Sequence, residues 1–179
     1  MSLIQTFGPI RQHGYLVKDL DTAIDFWLEK LGVGPWFGYR NVMLRSEFEN
    51  QSNDIRLDVG LAYQNGVQIE LIHQTDDTPS PYRFFYDTED NLMQQQLAFF
   101  CKDIAQAKTQ AINLGLKPAG KMVTPTGSQA LYFSHPTLGK TVVELLEVDQ
   151  TLLDGFAYFE QQTINWDGKD DPIRIIDML

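Results

Sequence analysis

An internal repeat constrains the fold more than any other feature of this chain. The segment Gln-His-Gly-Tyr-Leu-Val-Lys-Asp-Leu at 12–20 aligns without a gap on Gln-Leu-Ala-Phe-Phe-Cys-Lys-Asp-Ile at 96–104, an offset of 84 residues (96 minus 12). Self-similarity of this kind marks a duplicated supersecondary unit. In the first copy Ile24, Trp27, Leu28 and Leu31 recur at i, i+3, i+4 and i+7, which is one face of a helix. Asp19 or Asp21 can cap its start and Gly32 can end it. In the second copy Ile104, Ala107, Ala111 and Leu114 repeat that face, and Gly115 the stop.

Each helical pattern is followed by three β-like runs, at 36–44, 55–63 and 67–73 in the first copy and at 117–123, 129–134 and 141–148 in the second. Asn65-Gly66 separates two of them, and both central positions of a two-residue hairpin turn of this type require positive φ. The last runs match: Val-Gln-Ile-Glu-Leu-Ile ending the first copy, Thr-Val-Val-Glu-Leu-Leu ending the second, with Glu70 and Glu144 equivalent. The spacing of these glutamates is 74 (144 minus 70), so the second copy is the shorter by ten residues. The chain therefore reads as α+β, with two tandem βαβββ modules at 8–75 and 92–149, a linker at 76–91 and an extension at 150–179. The tandem unit as a whole takes up 1–149. The linker holds Pro79 and Pro81, but its Tyr-Arg-Phe-Phe-Tyr cluster at 82–86 is too aromatic to be freely solvated; it packs on a module or covers a cavity mouth. Leu152, Phe156 and Phe159 predict one short amphipathic helix, and 161–179 reads as an extended wrap.

Composition narrows the function. With 14 Lys and Arg against 24 Asp and Glu, the net charge is -10 and the pI about 4.6. No basic run is present to displace counterions, which argues against nucleic acid and anionic membrane surfaces as partners. No secretory leader or membrane-spanning run is visible, so the expectation is a cytoplasmic protein. The single Cys101, in an apolar run, reads as a buried thiol. With one cysteine beside His13, His73 and His135, the chain lacks the second cysteine that a structural Cys/His zinc cluster needs.

Duplicated unit, Leu-Gly helix ends and paired Glu-Leu last strands together resemble the vicinal oxygen chelate superfamily, which includes glyoxalase I, methylmalonyl-CoA epimerase, extradiol dioxygenases and bleomycin-resistance proteins. The resemblance covers most of the chain and implies a cupped mixed sheet around one cavity. In that family metal ligands sit on the first and last strand of each module, commonly as His, Glu, His, Glu. Counting back from Asp19 and Asp103, the first-strand positions carry Gln12 and Gln96, and the last-strand positions carry Glu70 and Glu144. His13 lies one residue out, which in a strand reverses the face; only a one-residue bulge would turn it inward as an alternative to Gln12.

The chain thus departs from the family's ligand set at both histidine positions. Four oxygen donors suit Mg, Mn or Ca better than Zn or Ni; bound Mn, Ni, Co or Zn would mean that a chelate site is kept, and Ni or Zn would point to His13. One divalent ion, or a metal-free network of Gln amides and Glu carboxyls, are both open on the sequence. Alternation places Glu70 and Glu144 opposite the apolar faces Val67, Ile69, Leu71 and Val143, Leu145, which sends both glutamates into the cup. His73 and His135 read as rim or turn residues, while Trp36, Phe37 and Tyr39 either line the cavity or belong to the core. Thr126-Gly-Ser is not a phosphate loop, and the arginines and lysines are scattered.

The resemblance implies a small-molecule lyase or isomerase of glyoxalase or epimerase type, working by proton abstraction next to a carbonyl. Glu144 is the expected general base, with Glu70 as its partner or the opposing acid. The alternative is a non-catalytic cup that sequesters a hydrophobic small molecule after loss of the metal site. Exposed strand edges leave a homodimer open.

Overall fold

The computed structural model describes residues 2–179. In chain order its elements are α1 (Leu3–Phe7), β1 (Gln12–Val17), α2 (Leu20–Glu29), β2 (Trp36–Phe48), β3 (Gln51–Gln64) and β4 (Val67–Gln74), followed by β5 (Leu92–Cys101), α3 (Ile104–Asn113), β6 (Lys117–Val123), β7 (Gln129–Ser134) and β8 (Val142–Glu147), and finally α4 (Gln150–Ile164) and β9 (Ile173–Asp177). The βαβββ unit occurs twice, as β1-α2-β2-β3-β4 and β5-α3-β6-β7-β8. Matching caps start the two module helices. The Asp19 carboxylate accepts from Thr22 N at 2.7 Å, and that of Asp103 accepts from Gln106 N at 2.9 Å.

The strand order is β3-β4-β1-β5-β8-β7-β6-β2-β9, with β2 also paired to β3. That second pairing closes eight strands into a barrel, leaving β9 as a parallel branch on the first half of β2. The closure depends on the length of the first hairpin. Its strands extend past the runs read from the sequence, to Phe48 and from Gln51, so that Arg45, Ser46 and Glu47 reach Val123, Met122 and Lys121 of β6. The turn at Glu49 and Asn50 has φ of 49° and 63°, and the Asn65-Gly66 turn has φ of 50° and 79°.

The modules meet where β1 runs antiparallel to β5, and each of these pairs in parallel with the last strand of its own module. Module helices cover the outer sheet face. Ile24 and Trp27 of α2 pack with Ile69 and Leu71, and Ala107 and Ala111 of α3 pack with Val143 and Leu145. The inward face forms the third cluster, built on Leu16, Ile55, Leu57, Ile72, Tyr82 and Tyr132.

Two local expectations are corrected, and one element is added. Leu31 is 48% exposed, because α2 stops at Glu29 and the chain then turns through Gly32. The terminal segment is not only a wrap: α4 runs on to Ile164, and β9 adds backbone hydrogen bonds to β2. The short α1, started by a capping box at Ser2, has no counterpart in the sequence reading because five residues carry no helical period.

Candidate active site

Inside the barrel lies a cavity of about 170 Å³. Its walls are mainly aliphatic, and its polar groups are Gln12, Glu70, Gln96, Glu144, Thr124 and the hydroxyls of Tyr82 and Tyr132. All four positions singled out on the first and last strands therefore face one space. Register explains how they meet. Gly14 of β1 stands between Glu70 of β4 and Gln96 of β5, opposite both. Having no side chain, Gly14 lets the Gln96 amide lie across β1; a Cβ there would come within 2.5 Å of Gln96 Cγ.

A directed chain of hydrogen bonds results. Gln68 Nε2 donates to the Tyr63 hydroxyl at 2.7 Å, and Gln12 Nε2 donates to Gln68 Oε1 at 2.6 Å. Gln96 Nε2 then donates both to Gln12 Oε1 at 3.1 Å and to Glu70 Oε2 at 2.8 Å. Tyr63 and Gln68 thus fix which way the Gln12 amide points, so that its oxygen faces Gln96. Gln96 Oε1 and Glu144 Oε2 are buried without a hydrogen-bond partner.

Burial in this apolar space raises the pKa of both carboxyls. Glu70 is pushed up to about 7 by desolvation, which outweighs the opposing effect of the Gln96 donor. Glu144 is pushed well above the ordinary carboxylate range by burial and then by the neighbouring Glu70 charge. Glu70 therefore gives up its proton at about 7, while Glu144 keeps its own well past the ordinary carboxylate range.

Sequence reasoning did not find the tyrosines of this site. Tyr82, from the connection between modules, and Tyr132 of β7 are both buried, with hydroxyl oxygens 2.6 Å apart. Their mutual bond uses one of two hydroxyl protons and leaves the other to offer. The aromatic composition of the connection was the only signal; the partnership spans 50 residues.

His13 is not brought into the cavity. It stands opposite Ile69 and Leu97, and its Nδ1 pairs with the Gln94 amide at 3.0 Å. An irregularity in the β1–β5 pairing does exist, but the additional residue, Gln95, falls in β5, so β1 keeps its alternation. His73 lies near the end of β4 beside Tyr86, and His135 caps a short 3-10 turn. Trp36 belongs to the core under α2 and Phe37 stacks on Phe159 at 4.3 Å, while Tyr39 lines a second space under α4. Arg40 is taken up by Asp21 and Asp58.

The side chains are arranged as an amide–carboxyl network and not as a chelate. Among the described residues no group of three or more His, Cys, Asp or Glu is placed to hold a metal ion. Gln96 presents N–H protons to Gln12 Oε1 and Glu70 Oε2, where a shared cation would need lone pairs.

Two βαβββ modules closed around paired inward carboxyls define a class of protein, and comparison with known proteins agrees. Residues 11–133 match the family model described as the Glyoxalase/Bleomycin resistance protein/Dioxygenase superfamily, and the chain belongs to that superfamily. Among solved structures it is similar to methylmalonyl-CoA epimerase from Mycobacterium tuberculosis, at 22% identity and a TM-score of 0.55, over 83% of this chain and 93% of that one. A hypothetical protein from Bacillus halodurans aligns with a TM-score of 0.56 at 14% identity, over 79% and 95%. A variant methylmalonyl-CoA epimerase from Streptomyces coelicolor, in complex with 2-nitronate-propionyl-CoA, aligns at 17% identity and a TM-score of 0.50, over 79% and 94%. At these identities the likeness is one of fold. Among curated proteins none matches significantly.

Proposed function

We propose that the chain is an enzyme that moves a proton at a carbon next to a carbonyl, a lyase or isomerase within its superfamily. One observation carries this reading: two carboxyls, Glu70 and Glu144, line one apolar cavity, where burial raises the pKa of both. Such a pair supplies a base and an acid together near neutral pH, which is what proton transfer at carbon requires. The Gln96 donor favours the charge on Glu70, so Glu70 is the resting base and Glu144 the resting acid, the reverse of the roles expected from the sequence. In the reverse direction Glu144 takes the basic role.

The base removes the C–H proton and the electron pair moves onto the carbonyl oxygen. The free hydroxyl proton of the Tyr82–Tyr132 pair is the donor available to that oxygen. The acid then returns a proton to carbon, on the opposite face for an epimerase or at the neighbouring carbon for a ketol isomerisation. No step passes through a metal.

The test is deuterium incorporation from D2O next to the carbonyl of 2-oxoaldehyde hemithioacetals and racemisable thioesters, with Glu144→Gln and Glu70→Gln in parallel. Loss of about 10²–10⁴-fold in rate is expected for each. Equal exchange in all three proteins removes the carboxyls from the mechanism. Absence of both first-strand imidazoles favours a second reading, a sequestering cup, for which ligand binding without exchange is the signature.

A further inference from the structure

We infer that the substrate is an uncharged carbonyl compound with an apolar body, lying through the barrel cavity into a second chamber beneath α4. This rests on the proton-transfer reading for what happens at the carbonyl and on the chamber walls for the rest of the molecule. The inner cavity of about 170 Å³ is smaller than the roughly 300 Å³ at which ligand sites begin. A second space of about 430 Å³ adjoins it. Leu61, Thr124, Leu146, Leu152 and Phe156 line both, so these side chains are all that stands between the two spaces, and an occupant of both passes the neck at Leu152 and Phe156.

The charge of the walls decides the class of occupant. Among the described residues neither lining contains Lys, Arg or His. The charged groups are Glu70 and Glu144 inside and Asp149, the cap of α4, outside. A carboxylate or phosphate tail would meet only acids along these walls, a repulsion that no cationic group in them offsets. Aliphatic side chains and the ring of Phe156 instead suit a hydrocarbon body. Because α4 has no buried residue and is seated by stacking of Phe156 on Phe100 and Phe159 on Phe37, its inner side can differ between variants without disturbing the barrel core.

The experiment uses the full chain and three probes: 2-tetralone and 2-decanone, a bicyclic and a linear uncharged ketone, and propionyl-CoA as the anionic comparison. Binding is read by saturation-transfer NMR and calorimetry, and deuterium incorporation next to the carbonyl is read separately. The variants are Leu152→Arg, which puts a cation at the neck, and Leu152→Trp, which fills it; circular dichroism confirms that each is folded. At least one ketone should bind the wild type, and both variants should weaken it by about tenfold or more. Propionyl-CoA should bind only after Leu152→Arg. Binding of propionyl-CoA by the wild type with no ketone bound overturns the inference. So do binding of no probe at all and ketone affinity unchanged in both variants. A ketone that binds at the neck but exchanges no deuterium leaves the ligand class standing and removes the proton-transfer reading instead.

Discussion

Gln96 Nε2 reaches over Gly14 to donate to Glu70 Oε2 at 2.8 Å, whereas Glu144 Oε2, facing the same cavity, is buried without a hydrogen-bond partner. This inequality separates two acids that the repeat makes equivalent in sequence. The first proton lost from the pair leaves Glu70 near 7, and the second leaves only at higher pH, against burial and an adjacent charge. Activity should therefore follow a bell, rising through about 7 and falling once the pair loses its second proton. Glu144→Gln should remove the alkaline limb from whatever exchange remains. A flat profile for the wild type between pH 5 and 9 would count against the paired-acid mechanism.

Gly14→Ala tests the bridge without touching an acid. The new Cβ would lie 2.5–2.8 Å from Gln96 Cγ, Cδ and Nε2, so the amide must swing off Glu70. Losing that donor removes the one interaction that lowers the Glu70 pKa, and the acidic limb of the profile should move upward. A stability loss of about 1–3 kcal/mol should accompany it. An unshifted limb, with melting temperature reduced, would assign Gln96 a packing role only.

The same acids set the pH dependence of stability. Burial holds Glu70 and Glu144 above the ordinary value of 4.5, so the folded chain binds their protons more tightly than the unfolded chain does. Their stabilising contribution is complete below about 4.5 and is lost as pH rises through about 7 and beyond. Melting temperature should fall from pH 5.5 to pH 8.5 in the wild type. Glu144→Gln, neutral throughout, should melt higher than the wild type at pH 8.5 and show a shallower slope. Parallel slopes in the two proteins would mean that other groups govern the alkaline loss.

Much of the scaffold was legible because local signals and global repeat agree. Asp19, one of the two caps the sequence offered, starts α2, Asn65-Gly66 turns as read, and alternation on β4 and β8 aims Glu70 and Glu144 into the barrel. What escaped depends on partners distant in sequence. Barrel closure needs β2 to reach β6, yet residues 45–51 are polar apart from Phe48 and resemble a loop until Arg45, Ser46 and Glu47 find β6. Strand β9 exists because Trp36 to Arg40 pair with Ile173 to Asp177, and nothing in a short apolar tail announces its neighbour. The Tyr82–Tyr132 contact and the Gln68 anchor of Gln12 are likewise long-range, and only their buried polar character hints that each must find a mate.

Metal affinity offers the sharpest contrast between this chain and the histidine-bearing pattern of its superfamily. The wild type directs Gln96 N–H groups at Gln12 Oε1 and Glu70 Oε2, so purified protein should hold no stoichiometric Zn, Ni, Co or Mn and take up none on titration. Replacing both amides, Gln12→His with Gln96→His, would put two imidazoles beside Glu70 and Glu144 and create a nitrogen–oxygen donor set suited to Zn or Ni. The double variant should bind one such ion per chain, measured by elemental mass spectrometry after gel filtration. Binding should also draw the paired acids into their ionised forms and lift the melting temperature at pH 8. The substitution removes the Gln12 donor to Gln68 Oε1, so the metal-free double variant should melt lower than the wild type. Stoichiometric metal in the unmodified chain would overturn the amide network and restore a chelate to the site.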